Sequence, residues 1–185
     1  MAKSDLKRVL LDSSALLAFI KGEPAAARLI PLMGLVDRGE VQVVASVLTL
    51  AEVYRQSTAV EEAERKHQNA KLKNIRLKLE ARETLLLDVT IPIARKATEY
   101  RIAHGMKVPD AVHLATAVLN GCDWLVTLDD DFPLAVEGVQ VVRTELLNED
   151  AVLPWEGQPL QLDLFTDHDA HNVVEFKPRD VAERE

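Results

Sequence analysis

Five short apolar runs, separated by stretches with helical punctuation, leave this chain few ways to fold. They are Arg8-Val-Leu-Leu-Asp12, Val41-Gln-Val-Val-Ala45, Leu85-Leu-Leu-Asp-Val89, Asp123-Trp-Leu-Val-Thr127 and Val139-Gln-Val-Val142. Each has strand length and a β-branched or leucine-rich core. Between them, Ser13 or Ser14 is placed to cap a helix through Ile20 that Gly22 ends. Pro24 opens a second helix predicted to run to about Asp37, with Gly39 behind it. Ser46 caps a third, which carries Leu48, Leu50, Ala51, Glu52, Val53 and Tyr54. The charged stretch 59–84 keeps a helical stripe in Leu72, Ile75 and Leu79. Ile91 to His104 is predicted helical and closed by Gly105, and Pro109 opens a further helix through Leu119, ended by Asn120-Gly121. Strands that alternate with helices imply an α/β fold: a three-layer α/β/α sandwich around a short, mainly parallel sheet.

A length of 185 residues suits one domain plus an extension, and 48% hydrophobic residues supply a core. No apolar run approaches the roughly 20 residues of a membrane span. Met1 to Lys7 is polar and lacks a secretory signal's apolar stretch. Cys122 is the single cysteine, which excludes an internal disulfide and a thiolate zinc site. A reducing cytoplasm is the expected location. Beyond Thr144 the texture changes: Pro154, Gly157 and Pro159 interrupt it and acidic residues dominate. Leu160, Leu162 and Leu164 alternate there as a candidate edge strand, Trp155 is a candidate anchor, and Asp167-His168-Asp169 with His171 reads as incidental.

The net charge of −8 is unevenly spread. Residues 1–144 hold 19 Lys/Arg and 19 Asp/Glu, and residues 145–185 hold 3 and 11, which together make the chain's 22 and 30. The whole acidic excess therefore sits in the tail. Arg65 to Lys107 holds 11 basic against 4 acidic residues. Within it, Lys71, Lys73, Arg76, Lys78 and Arg82 are the candidate contacts to a phosphate backbone. A solvated helix face of mixed charge is the alternative reading.

Four carboxylates fall where a parallel sheet gathers its ligands, beyond the carboxyl ends of the strands. Asp12 ends the first run and Asp129 lies two residues past Thr127; Glu52 is early in a helix after a strand, and Asp110 is in the first turn after Pro109. Each has a plainer reading as a turn, cap or surface residue. Four acids brought together would repel and raise one another's pKa, a conflict that a hard cation such as Mg²⁺ or Mn²⁺ removes. Metal-assisted phosphodiester hydrolysis is the chemistry this set suggests. His113, one turn after Asp110, is read as structural in preference to a phosphate contact. Trp124 is read as core.

The blocks Val9-Leu-Leu-Asp-Ser-Ser-Ala-Leu-Leu-Ala18, Thr49-Leu-Ala-Glu-Val53, Pro109-Asp-Ala-Val-His-Leu-Ala-Thr-Ala117 and Leu125-Val-Thr-Leu-Asp-Asp-Asp-Phe132 resemble the PIN domain family, most of all its VapC-type toxins. The resemblance covers about residues 8–143. It implies a PIN-like nuclease domain over 1–144, followed by an acidic, partly ordered extension over 145–185. It implies Asp12, Glu52, Asp110 and Asp129 as metal ligands and catalytic residues, Ser14 and Thr127 as the hydroxyls that hold them, and Asp131 as a supporting acid. The implied activity is a Mg²⁺- or Mn²⁺-dependent endoribonuclease leaving a 5′-phosphate and a 3′-hydroxyl. A homodimer and a cognate antitoxin that covers the site are also implied. The long charged segment and the acidic tail depart from a minimal toxin. They leave open an RNA-processing nuclease outside a toxin–antitoxin pair, or a silent RNA- or protein-binding module. A phosphatase with an aspartyl nucleophile wants a second acid two residues on, where Ser14 stands. The tail could imitate RNA on the basic segment, in which case truncation after Thr144 raises activity; a solubilising extension is the other reading.

Overall fold

The apolar runs become strands whose side chains alternate between two faces. In the computed structural model, which describes residues 6–54, 57–81, 84–143, 147 and 150–156, the strands are β1 (Lys7–Leu11), β2 (Val41–Ser46), β3 (Leu85–Leu87), β4 (Trp124–Val126), β5 (Ala135–Val136) and β6 (Val139–Val142). They form one sheet in the order β3-β2-β1-β4-β6-β5. All pairs are parallel except β5 with β6. The helices are α1 (Ser13–Lys21), α2 (Pro24–Ala27), α3 (Ile30–Asp37), α4 (Val47–Val53), α5 (Glu62–Leu79), α6 (Ile91–His104) and α7 (Val108–Leu119).

Two cores follow from the alternation. Val9, Leu11, Val43 and Val126 face α1, α3 and α5, whereas Leu10, Val44, Leu125 and Val141 face α6 and α7. The result is the α/β/α sandwich expected from the sequence. Chain order runs from β1 through β2 to β3 on one side, and the next strand, β4, pairs on the other side of β1. The carboxyl ends of β1 and β4 thus flank a topological switch point, where such sheets hold ligands.

Three local features differ from expectation, each for a definable reason. The helix predicted from Pro24 to Asp37 is two helices, because Pro31 has no N–H to give to the Ala27 carbonyl and so stands in the first turn of a new helix. Neither Ser13 nor Ser14 caps α1; Asp12 does, its carboxylate accepting from the Ser13 N–H at 2.7 Å. The two-residue β5 is too short to leave an alternating pattern. Its link to β6 is Glu137-Gly138, with φ of 48° and 88°, the two left-handed residues that a tight hairpin requires. The candidate strand Leu160 to Leu164, the Asp167 to His171 cluster and Arg82 lie outside the described residues.

The folded body continues past Thr144. Leu147, Leu153 and Trp155 are buried in the core that holds α1 and α3. The Trp155 ring meets Trp124 edge-on with centroids 6.0 Å apart. Arg28, at the end of α2, pairs with Glu156 at 2.8 Å and donates to the Ala151 carbonyl at 2.6 Å. Cys122 is buried in the opposite core, where loss of solvation pushes its thiol up to about 12. That leaves roughly 10³-fold less thiolate at neutral pH than a free cysteine has. Native protein should accordingly resist an aromatic disulfide reagent that titrates one thiol in denaturant; fast native labelling would contradict this packing.

Candidate functional site

Asp12 anchors the site at the end of β1 and is only 3% exposed. Its Oδ2 accepts from the Ser14 hydroxyl at 2.8 Å and the Thr127 hydroxyl at 2.9 Å. Thr127, just past β4, also accepts from the Asp129 N–H at 3.0 Å. Ser14 accepts from the Leu128 N–H at 2.9 Å. The two hydroxyls therefore tie the ends of β1 and β4 together and fix the Asp12 carboxylate between them. Asp129 closes its own turn, its Oδ1 accepting from the Asp131 N–H at 3.0 Å.

Asp110 enters from the first turn of α7, which Pro109 starts. Its carboxyl is pushed up to about 6, first by burial and then by the charges of Asp12 and Asp129, against the pull of Lys107 and His113. Its Oδ2 is buried and has no hydrogen-bond partner among the described residues. Glu52 comes from α4, which Ser46 caps by accepting from the Leu48 N–H at 3.2 Å. His113, one turn along α7 from Asp110, joins Glu52 to the others. Its Nε2 lies 2.9 Å from Glu52 Oε2 and 3.7 Å from Asp12 Oδ1. Burial resists protonation of His113, but Glu52, Asp12 and Asp110 outweigh it and hold the imidazole above its ordinary value.

The structure thus brings Asp110 within electrostatic reach of both Asp12 and Asp129 and links Glu52 to Asp12 through a histidine. Among the described residues, no three of the acids or histidines stand at ligand spacing around one point. The residues present nevertheless fit a hard divalent cation. They offer carboxylate oxygens, and Asp110 brings a buried acceptor with no partner among the described residues and a carboxyl raised first by burial and then by the charges of Asp12 and Asp129.

Two neighbours of the cluster lie outside the four acids: His113, which the sequence reads as structural, and Lys107, which it counts only within the basic segment. His113 is 0% exposed, so contact with a substrate phosphate is excluded and its role is toward Glu52 and Asp12. Its spacing of three residues from Asp110 on one helix was the available signal. Lys107, the N-cap residue of α7, places its amine 3.2 Å from Asp131 and 3.9 Å from Asp129. It is the cation at the rim. The α5 cations divide: Lys78 pairs with Asp37, the Arg76 guanidinium sits 3.9 Å over the Tyr54 ring, Lys71 reaches the Gly22 turn, and Lys73 is exposed. From Glu52 a cleft of about 640 Å³ opens between α1, the segment 57–60 and α5.

The family model described as PIN domain matches residues 9–137, more than half of the chain. No curated protein matches. Three solved structures resemble the fold. One chain is in a toxin–antitoxin complex from Klebsiella pneumoniae, 23% identical over 71% of this chain and 94% of that one, with a TM-score of 0.50. Another is in VapBC2 from Rickettsia felis, bound to a DNA fragment from their promoter, 17% identical over 74% and 98%, with a TM-score of 0.52. A third is in VapBC-5 of the VapBC family of toxin–antitoxin systems, from Mycobacterium tuberculosis, 24% identical over 74% and 98%, with a TM-score of 0.50. With the family model running from within β1 to just past β5, this chain belongs to the PIN domain family.

Proposed function

We propose that the protein is a divalent-metal-dependent endoribonuclease and the toxin of a type II toxin–antitoxin pair. The observation that carries the chemistry is the trio Asp12, Asp110 and Asp129 at the switch point, with a buried Asp110 oxygen that no group among the described residues satisfies. Mg²⁺ or Mn²⁺, when bound by these acids and Glu52, supplies the charge neutralisation that attack on a phosphodiester needs. The protein's own residues do the rest. Ser14 and Thr127 hold the Asp12 carboxylate in one orientation, His113 holds Glu52, and Lys107 places a positive charge at the rim beside Asp131. The toxin role is supported by the family and by the toxin–antitoxin complexes that share the fold. It brings with it a cognate antitoxin, a homodimer and a cytoplasmic setting. Among the described residues, no helix is long and apolar enough to cross a membrane.

RNA cleavage by the purified chain with Mg²⁺ or Mn²⁺, run against chelator, tests the activity. Cleavage that survives chelation, or its absence with either ion, contradicts the reading. Thr127→Val keeps the side-chain shape and removes both hydroxyl bonds, to Asp12 and from the Asp129 N–H. Losses of supporting contacts of this kind weaken metal binding or activity by about 10–100-fold. Calorimetric Mg²⁺ titration of that variant should show this weakening, and parental affinity would remove Thr127 from the site.

A further inference from the structure

The cleft that opens from Glu52 has the chemistry of a nucleobase site. Its volume, about 640 Å³, is within the ~300–1,000 Å³ common for small-molecule sites. Leu17, Ile20 and Leu72 give it apolar walls suited to the face of a base, and Gln68 and Asn69 on α5 give it a polar edge. The polarity of that edge is set by the segment opposite. The Ser57 N–H donates to Asn69 Oδ1 at 2.9 Å, and the Ser57 hydroxyl donates to Gln68 Oε1. Both amide oxygens are thereby occupied. Gln68 Nε2 donates to Glu64 at 3.0 Å, and the Asn69 amino group has no partner among the described residues. The edge consequently presents N–H donors to an occupant.

The cleft also has a continuation. Asn69 and Leu72 line a second cleft of about 340 Å³ whose other walls are Lys73, Arg76, Leu77 and Glu80. A strand whose phosphate lies at the carboxylates would pass a base by Asn69 and carry its neighbouring phosphate to these two cations. Acids at one end, a half-apolar cleft in the middle and the exposed Lys73 beside Arg76 at the other, two cations against the single acid Glu80, favour a nucleic-acid strand over a peptide.

We propose that this cleft is the base-reading subsite of the enzyme: it takes the nucleobase adjacent to the scissile phosphate and selects those with an acceptor-rich edge, guanine or uracil, through the Asn69 amide. The proposal rests on the nuclease reading above. It is tested by cleaving RNA of randomised sequence with the full chain in Mg²⁺ and sequencing the new ends. The parent should show about a tenfold preference for guanine or uracil at one position flanking the cut, the discrimination one good base contact provides. Asn69→Ala should flatten that position to within about twofold. Asn69→Asp keeps the oxygen that anchors Ser57 but replaces the donor with an acceptor, and should turn the preference toward the amino-bearing bases adenine and cytosine. A parent that cleaves without preference, or variants that slow all sequences alike and keep the parental pattern, would overturn the subsite while leaving the nuclease standing. A parent that cleaves nothing in Mg²⁺ or Mn²⁺ removes the nuclease reading and the subsite with it.

Discussion

Asp110→Asn should abolish cleavage and at the same time make the chelated protein more stable. The carboxyl of Asp110 protonates at about 6 in the fold, against an ordinary 3.8, because it is partly buried beside Asp12 and Asp129. The folded state thus holds this proton more tightly than the unfolded chain does. Its contribution to stability is complete below pH 3.8 and is lost as the pH rises through 6. Above that window the ionised group costs on the order of 1–2 kcal/mol once its partial exposure to solvent is discounted. Asparagine has the same shape without the charge. At pH 7 in chelator the variant should melt roughly 2–6 °C above the parent, and the gain should vanish at pH 4. Mg²⁺ should raise the melting temperature of the parent, by mass action on the folded state, and move the variant far less. Cleavage should fall at least about 100-fold, since even residues that merely support a metal ligand cost 10–100-fold. A variant that cleaves normally, or melts below the parent at pH 7, is incompatible with Asp110 as a crowded ligand.

Where the chain is cut decides whether it folds. Ending it after Thr144 removes Leu147, Leu153 and Trp155 from the core, together with the Arg28 to Glu156 pair. Replacement of Trp155 by alanine alone should cost ~3–5 kcal/mol, a large part of the ~5–15 kcal/mol that holds a domain together. Trp155→Ala should lower the melting temperature by roughly 6–20 °C, and the chain ending at Thr144 should show no cooperative melt by circular dichroism. A chain ending at Glu156 keeps these contacts and should melt cooperatively. Equal melting of the two truncations would mean that the Trp155 segment contributes nothing. It follows that the tail's supposed imitation of RNA must be tested by cutting after Glu156, because the shorter chain would lose activity through unfolding.

The layers were legible in the sequence because burial on both faces leaves a residue-by-residue mark: Val9 and Leu11 on one side, Leu10 on the other. Helix starts at Pro24, Ser46 and Pro109 were legible because proline and serine act locally. Pro31 shows the limit, since proline suits a first turn and breaks an interior, and the pattern did not say which. The four acids could each be assigned to the end of an element, but distances between elements are tertiary quantities. The same holds for charge. Counting cations along α5 could not reveal that Lys78 is engaged by Asp37 on α3, or that Lys107, outside α5, sits against Asp129 and Asp131. His113 was read as structural from its place among Ala111, Val112 and Leu114, but its partner Glu52, on another helix, is a tertiary contact that the pattern does not carry.

The hydroxyl that holds Asp12 comes from Thr127, 115 residues further on, and the Trp155 that covers β4 comes later still. A ribosome adding ~5–20 residues per second needs on the order of ten seconds to cover that span. Throughout that interval the nascent chain carries Asp12 without the strand that orients it. Whatever the acid cluster does, it cannot begin before the chain has been made past Thr127 and Trp155.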